Sequence, residues 1–288
     1  MDILITGILL GGTYTLIAMG LNLQYGVARI MNLANGEMLV AGAFAAFWTY
    51  TAGQVSPILS ILFVAPLAFL ANWIIYRVIL MPLIKRAKNQ GQLEVDSILA
   101  TFGMGFAFVG IMIATFGADY FSYDYLGDGV QIIGNTFALN RIVAFFAAVI
   151  ICAILYAWLY WSRPGTAVRA VAVNPQAAGL VGINVRRVSA LAFALGGSLT
   201  AVGGSLISTF LTLDASVGVL FTMKALIIVI MGGVGDVRGV IVAALILGLA
   251  ETAVATLIDP GLTLAAAYFI FILVLLFRPQ GLFGKPTS

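Results

Sequence analysis

Long apolar runs alternate along the chain with short polar or glycine-rich breaks. Nine runs are bounded by charge, Gly or Pro, at about residues 3–24, 37–51, 57–81, 95–117, 141–162, 188–210, 222–234, 239–258 and 262–277. Most can cross a bilayer, because a helical span needs about 20 apolar residues. The second and seventh runs are short and lie beside polar or glycine-rich stretches, which indicates broken or half helices. The pattern predicts an all-α polytopic membrane bundle of eight to nine spans, in one domain over residues 1–288.

The composition excludes a soluble globular protein. Hydrophobic residues make up 62% of the chain and charged residues 9%, and the mean hydropathy is +1.11. Soluble domains are about 25% charged, so this chain has too few charges to cover a water-facing surface. Lipid is therefore the expected main surrounding. The net charge of +3 is too small to indicate a nucleic-acid-binding face.

The connections predict an orientation, because cytoplasmic loops are enriched in Lys and Arg. Ten of the 14 cations lie in three segments, at 77–88, 163–187 and the tail from Arg278 to Lys285. We expect these segments and the C-terminus on the cytoplasmic side of the membrane. The connection 118–140 carries Asp119, Asp124 and Asp128 without a cation, which fits the outer side. The N-terminus is then outside, or inside if the run 37–51 is re-entrant.

Catalytic chemistry has few candidates in this sequence. The chain has no histidine and one cysteine, Cys152, inside an apolar run, so imidazole and disulfide chemistry are excluded and no cofactor or metal site is expected. The ATP-binding pattern GxxxxGK[ST] is also absent, since its nearest approach, residues 281–288, has Pro286 after the lysine. A membrane-embedded enzyme is accordingly disfavoured, and any ATP hydrolysis must belong to another subunit.

The segment 163–187 reads as a structured loop with a short helix. Asn174 can cap that helix, Pro175 suits its first position, and Gly179 or Gly182 can end it. One interpretation is an ordinary interfacial helix. The other is a docking element for a cytoplasmic partner.

A polar stretch between the first two runs, residues 22–42, is the first candidate for a pathway or gate. Polar side chains at membrane depth are costly unless they face protein or a water-filled path. An interfacial loop is the alternative. The candidate residues are Asn22, Tyr25, Arg29, Asn32, Asn35 and Glu37, with Gln24 beside them.

The glycine-rich segment GGVGDVRG, residues 232–239, resembles a nucleotide-binding fingerprint only superficially. No strand precedes it and no βαβ unit follows, so we reject that interpretation. The glycines are instead expected to let helices break or approach closely, as are those at 196–197 and 203–204.

Four segments together resemble the integral-membrane permease of branched-chain amino acid ABC importers. They are YGVARIMNLANGE (25–37), GTAVRAVAVNPQAAGLVGIN (165–184), MKALIIVIMGGVGDVRGVIVAALILGLAE (223–251) and RPQGLFG (278–284). Their order and spacing match the family over nearly the whole chain.

The resemblance implies an ABC importer permease fold and a set of partners: a second homologous permease, two cytoplasmic ABC ATPase subunits and a periplasmic or extracellular solute-binding protein. It implies an ATPase-docking loop at 163–187 and a glycine motif before a late helix. The docking residues are Arg169, Ala170, Asn174, Ala177, Gly182, Ile183 and Asn184, and the motif is Gly232, Gly233, Gly235 and Gly239. Where the family often has His before its Gly-Glu pair, this chain has Asn35.

The expected function is transport of branched-chain or related amino acids, driven by ATP hydrolysed elsewhere. Asn22, Tyr25, Asn32 and Asn35 are neutral groups able to contact an amino acid zwitterion. Two alternatives remain. An ABC permease of this kind can carry urea, short amides or other small solutes, and a stand-alone ion-coupled transporter or channel would use Glu37 or Glu251 as its ionisable group.

Overall fold

The computed structural model describes residues 2–132 and 135–284, and most of these residues are helical. The helices are α1 (Asp2–Ala28), α2 (Asn35–Gly53), α3 (Pro57–Ile75), α4 (Met81–Arg86), α5 (Gln90–Phe116), α6 (Leu139–Trp161), α7 (Arg163–Val173), α8 (Pro175–Leu180), α9 (Val185–Ile207), α10 (Gly218–Gly232), α11 (Val237–Leu257) and α12 (Thr263–Phe277). A π-helical turn, Tyr76–Leu80, joins α3 to α4, and a 3-10 turn, Pro260–Leu262, precedes α12. Strands β1 (Gly129–Ile132) and β2 (Asn135–Ala138) pair in an antiparallel hairpin.

The all-helical membrane fold predicted from the sequence is confirmed. Among the described residues, 7 helical stretches are long and apolar enough to cross a membrane. The two short runs correspond to α2, with 19 residues, and α10, with 15, so every predicted run matches one helix. The hairpin between α5 and α6 was not predicted, since its polar segment shows no apolar run.

Helices α1 and α9 form the centre of the bundle. Of the 18 residues in the most apolar stretch of each helix, 89% are buried in α9 and 67% in α1, but only 6% in α5. Small residues permit this packing: a Cβ at Gly196 would overlap the carbonyl oxygen of Gly20, and a Cβ at Gly204 would overlap that of Leu39. The outer helices therefore present apolar side chains to lipid or to a partner.

One end of the bundle, which we call the basic end, gathers the three segments predicted to share a membrane side. Near the end of α1, Asn22 Oδ1 accepts a hydrogen bond of 2.8 Å from the backbone N–H of Gly235, and the Leu282 N–H donates over 2.8 Å to the Met231 carbonyl. Segment 163–187 and the end of the α3–α4 unit pack beside them. Lys285, predicted to belong here, lies outside the described residues.

The opposite end, which we call the acidic end, carries the 117–128 loop and the hairpin. Phe121 and Leu213 form an isolated antiparallel bridge that joins this loop to the segment after α9. The Tyr123 hydroxyl lies 2.7 Å from that of Ser208, and burial raises the pKa of Tyr123 to about 12. Because α1 runs from this end to the basic end, Asp2 and residues 278–284 lie at opposite ends of the bundle.

Two helices start inside the bundle rather than at its surface. Helix α1 reaches the basic end and α2 returns from it, whereas α9 reaches the acidic end and α10 returns. Asn35, at the start of α2, lies at the depth of Thr200, in the interior of α9. The pair α1–α2 therefore runs through the bundle in the opposite direction to the pair α9–α10. In each pair the second helix starts at mid-depth.

Candidate functional site

The non-helical segment 29–34 between α1 and α2 is held by buried amide side chains. Arg29 ends α1 with a left-handed φ of 55°. Asn32 Nδ2 donates to Gln24 Oε1 over 2.9 Å, and its Oδ1 accepts from the Ala34 N–H over 3.0 Å. Gln24 Nε2 in turn donates over 3.2 Å to the carbonyl of Phe193. These bonds supply partners for polar groups that helix geometry leaves unpaired.

Helix α5 supplies a further contact through Thr101. Its Oγ1 accepts from the Leu33 N–H over 3.1 Å and lies 3.2 Å from the Met31 carbonyl. A threonine inside an apolar run gave no signal in the sequence, because a helical hydroxyl normally bonds its own preceding turn.

The starts of α2 and α10 meet directly. The backbone N–H of Gly36 donates over 2.7 Å to Thr222 Oγ1, and that hydroxyl lies 3.1 Å from the carbonyl of Gly218. Only glycine fits at position 36, since a Cβ there would overlap the Gly218 carbonyl oxygen. The junction therefore brings the two half-helix N-termini side by side.

Glu37 lies at this junction, with 2% of its surface exposed. It is in the first turn of α2, where the helix dipole favours a carboxylate, and its Oε2 has no hydrogen-bond partner among the described residues. The carboxylate borders a cavity of about 190 Å³ between α2, α5 and α10. This cavity, which we call the Glu37 cavity, is lined by Leu33, Glu37, Phe102, Gly105, Phe106, Val109, Ser216, Val219, Thr222 and Met223.

The other predicted pathway residues surround the junction in different roles. Asn22 and Asn32 are buried and bonded internally, as described above, and Asn35 Oδ1 accepts from Thr200 Oγ1 over 3.0 Å. Tyr25 is half-buried on α1, one turn before Arg29. The three asparagines thus support the broken helices, and Glu37 is the member of the predicted set that lines the cavity.

The glycine motif forms the turn between α10 and α11. Gly233 and Gly235 adopt left-handed φ values of 105° and 84°. Gly232 and Gly239 face each other so closely that a Cβ at Gly239 would overlap the Gly232 carbonyl oxygen. Asp236 caps α11, its Oδ1 accepting from the Gly239 N–H over 2.9 Å.

The loop 163–187 contains two helices, where the sequence predicted one. Ser162 caps α7, Asn174 caps α8 through the Ala177 N–H (3.0 Å), and Asn184 caps α9 through the Arg187 N–H (3.1 Å). Arg169 and Ala170 lie on α7. Gly182, with φ of 85°, and Ile183 form the turn into α9.

Three apolar side chains of this loop are exposed, although the loop lies at the basic end. Leu180 is 89% exposed, Val173 78% and Val181 77%. Arg169 is held inward, because its Nε donates over 3.0 Å to the Leu159 carbonyl and its guanidinium lies 4.5 Å from the Tyr160 ring centroid. An exposed apolar patch on a rigid loop is typical of a protein interface.

Known proteins similar to this chain share its full extent. Residues 3–277 match the family described as "Branched-chain amino acid transport system / permease component". The chain is 30% identical to the high-affinity branched-chain amino acid transport system permease protein LivH of Salmonella typhimurium, over 97% of this chain and 94% of that protein. It is 28% identical to the permease protein BraD of Pseudomonas aeruginosa, over 98% and 95%.

A solved structure, PsaBC from Streptococcus pneumoniae in complex with Fab, is similar at a TM-score of 0.49 and 11% identity, over 98% of this chain and 94% of that one. The assignment rests on the sequence relatives and not on that likeness. The chain is a multi-pass membrane protein and belongs to the family of branched-chain amino acid transport system permease components.

Proposed function

We propose that this chain is the transmembrane permease subunit of an ATP-driven ABC importer for branched-chain or related amino acids. A second, homologous permease completes the translocation path, two cytoplasmic ATPase subunits drive it, and a solute-binding protein delivers the amino acid. The complex works in the bacterial inner membrane, with the basic end of this chain in the cytoplasm. The observation that carries the proposal is the meeting of two half-helix N-termini at Glu37.

The path runs along the Glu37 cavity. Substrate sites of transporters commonly lie near the bilayer midplane where discontinuous helices meet. Here α2 and α10 start at mid-depth, and the Glu37 carboxylate, which lines the cavity, is the acceptor for a substrate ammonium. One wall, α5, has Phe102 53% and Phe106 65% exposed, which suits closure of the cavity by a partner permease.

Loop 163–187 is the mechanical link to the ATPases. Its exposed apolar patch supplies the contact area, and the bond from Arg169 to Leu159 ties α7 to the end of α6. A push on α7 or α8 is thereby transmitted to a membrane-crossing helix and, through the Asn184 cap, to α9.

The test is leucine uptake into proteoliposomes that contain the chain with its partner subunits. We expect uptake that needs ATP and binding protein, and no uptake by the chain alone under a proton gradient. Uptake by the chain alone, driven by the gradient, contradicts the proposal and indicates an ion-coupled transporter.

Glu37→Gln tests the path within the same assay. The amide keeps the size of the side chain and removes its charge, so uptake is expected to fall at least about 10-fold while thermal stability is kept. Asp119→Asn, which makes the same acid-to-amide change at an exposed position of the 117–128 loop, is the control and is expected to transport normally. Equal uptake by both variants would place the path elsewhere.

A further inference from the structure

A second polar cluster lies on the other side of α10 from Glu37. Lys224 Nζ is 2.8 Å from Glu251 Oε2 and 2.8 Å from the Tyr14 hydroxyl. That hydroxyl itself donates to Glu251 Oε2 over 2.8 Å. The cluster therefore joins α1, α10 and α11 inside the bundle, where charges are retained only when they have partners.

One oxygen of this cluster is left over. Glu251 is 4% exposed, and its Oε1 has no hydrogen-bond partner among the described residues, whereas Oε2 has two. An ionised carboxylate can accept about four hydrogen bonds, and Glu251 accepts two from the described residues.

The cluster borders a cavity of about 370 Å³, within the ~300–1,000 Å³ typical of small-molecule sites. We call it the Arg141–Glu251 cavity. Its lining combines charged, hydroxyl and apolar groups: Thr6, Leu9, Leu10, Tyr14, Arg141, Phe210, Leu211, Phe221, Lys224, Glu251, Thr252, Ala255, Thr256 and Thr263.

Arg141, in the first turn of α6, supplies a cation at the rim. Its guanidinium lies 5.7 Å from the Phe210 ring centroid, and it forms no ion pair within residues 2–132 and 135–284. Arg141 and Thr6 also line a second cavity of about 400 Å³, together with Asp2 and residues 136–138 of the hairpin region. The two cavities thus share a boundary at the acidic end, which gives the inner one a route from that side.

This cavity is separate from the Glu37 cavity, although both use α10. Thr222 and Met223 line the Glu37 cavity, whereas Phe221 and Lys224 line the Arg141–Glu251 cavity. Residues that follow one another on a helix point about 100° apart, so α10 is a wall between two sites.

We propose that the Arg141–Glu251 cavity binds a small zwitterion, whose ammonium group donates to the Glu251 carboxylate and whose carboxylate or phosphate oxygens accept from Arg141. Leu9, Leu10 and Leu211 form an apolar wall for an aliphatic side chain. Two sources have this chemistry: a free apolar amino acid, and the ethanolamine headgroup of a phospholipid. The choice of leucine as the first probe rests on the proposed function, whereas the site rests on the geometry above.

The experiment is equilibrium binding of radiolabelled L-leucine to the full chain purified in detergent, without ATPases or binding protein. We expect saturable binding that competes with unlabelled leucine and weakly with N-acetyl-leucine, which lacks the ammonium, or 3-methylbutylamine, which lacks the carboxylate. Saturable binding of radiolabelled glycerophosphoethanolamine, with no saturable leucine binding, assigns the site to the lipid headgroup. Saturable binding of neither zwitterion overturns the proposal.

Variants then locate the site. Arg141→Gln changes an exposed side chain and should weaken binding about 10-fold to 100-fold. Arg86→Gln, an exposed arginine on α4 at the basic end, is the matched control. Equal affinity in both variants contradicts the assignment. Because ATP and uptake play no part in this assay, failure of the importer proposal and failure of this one are separately visible.

Discussion

The backbone N–H of Gly36 donates a 2.7 Å hydrogen bond to the side chain of Thr222, across 186 residues of sequence. It joins the first turn of α2 to Thr222, which lies one turn after the start of α10. The first turn of α2 leaves N–H groups without an intrahelical acceptor, and at mid-depth no water is at hand to supply one. One hydroxyl therefore stabilises the place where two half-helices meet.

Thr222→Val is expected to destabilise the chain by about 1–3 kcal/mol. Valine has nearly the shape of threonine but no hydroxyl, so the buried Gly36 N–H loses its acceptor. Thermal unfolding of the purified protein in detergent measures the effect. Thr222→Ser keeps the acceptor and should retain most of the stability. If the valine and serine variants unfold at the same temperature, the hydrogen bond does not contribute to stability.

Gly36→Ala should impair folding more severely than a glycine change elsewhere. The new Cβ would overlap the carbonyl of Gly218, and neither backbone can move away from a packed junction, so a loss of about 1–3 kcal/mol or more is expected. Gly110→Ala on α5 is the matched control, since nothing lies within 4 Å of a Cβ there. It is expected to leave stability equal or raise it by up to about 1 kcal/mol. Thermal unfolding of the two variants makes the comparison.

Lys224→Met should destabilise the chain by about 3–5 kcal/mol, because Glu251 then keeps a buried charge with Tyr14 as its remaining partner in the cluster. Lys224→Met with Glu251→Gln removes both charges and should recover much of that loss. Unfolding measurements on the two single variants and the double variant give the coupling energy. Additive losses would mean that the 2.8 Å pair contributes nothing specific.

Leu180→Glu should weaken binding of the ATPase subunits while the chain keeps its stability. The side chain is 89% exposed, so its loss affects an interface and not the core. Gln176→Glu on the same helix, α8, adds the same charge without removing apolar surface and is the control. Co-purification of ATPase activity with each variant is the measurement, and equal recovery would exclude Leu180 from the docking surface.

Arg169→Glu should uncouple ATP hydrolysis from uptake. The change breaks the bond to the Leu159 carbonyl and the contact with the Tyr160 ring, which together hold α7 against α6. ATPase activity is expected to persist while leucine uptake falls at least about 10-fold. Arg169→Lys, which retains the charge, should show an intermediate loss. Normal coupling in the glutamate variant contradicts a transmitting role for this contact.

The apolar pattern by itself determined the helical membrane fold and the places of its nine apolar runs, because spans follow from local hydrophobic length. The local residue types also located the cap at Asn174 and the tight turn at 232–239, whose geometry depends on residues close in sequence. These features can be predicted from neighbouring residues, because no contact between distant parts of the chain is needed to form them.

The tertiary structure alone decided what the polar side chains do. Asn22, Asn32 and Asn35, predicted from the sequence as pathway groups, accept or donate hydrogen bonds within the bundle, at Gly235, Gln24 and Thr200, while Asn35 Nδ2 has no partner among the described residues. Thr222 and Arg141 gave no signal, because a single polar residue beside an apolar run acquires a role only when packing brings another segment to it. Which carboxylate oxygens remain unpaired beside a cavity, at Glu37 and Glu251, depends on contacts across the whole chain.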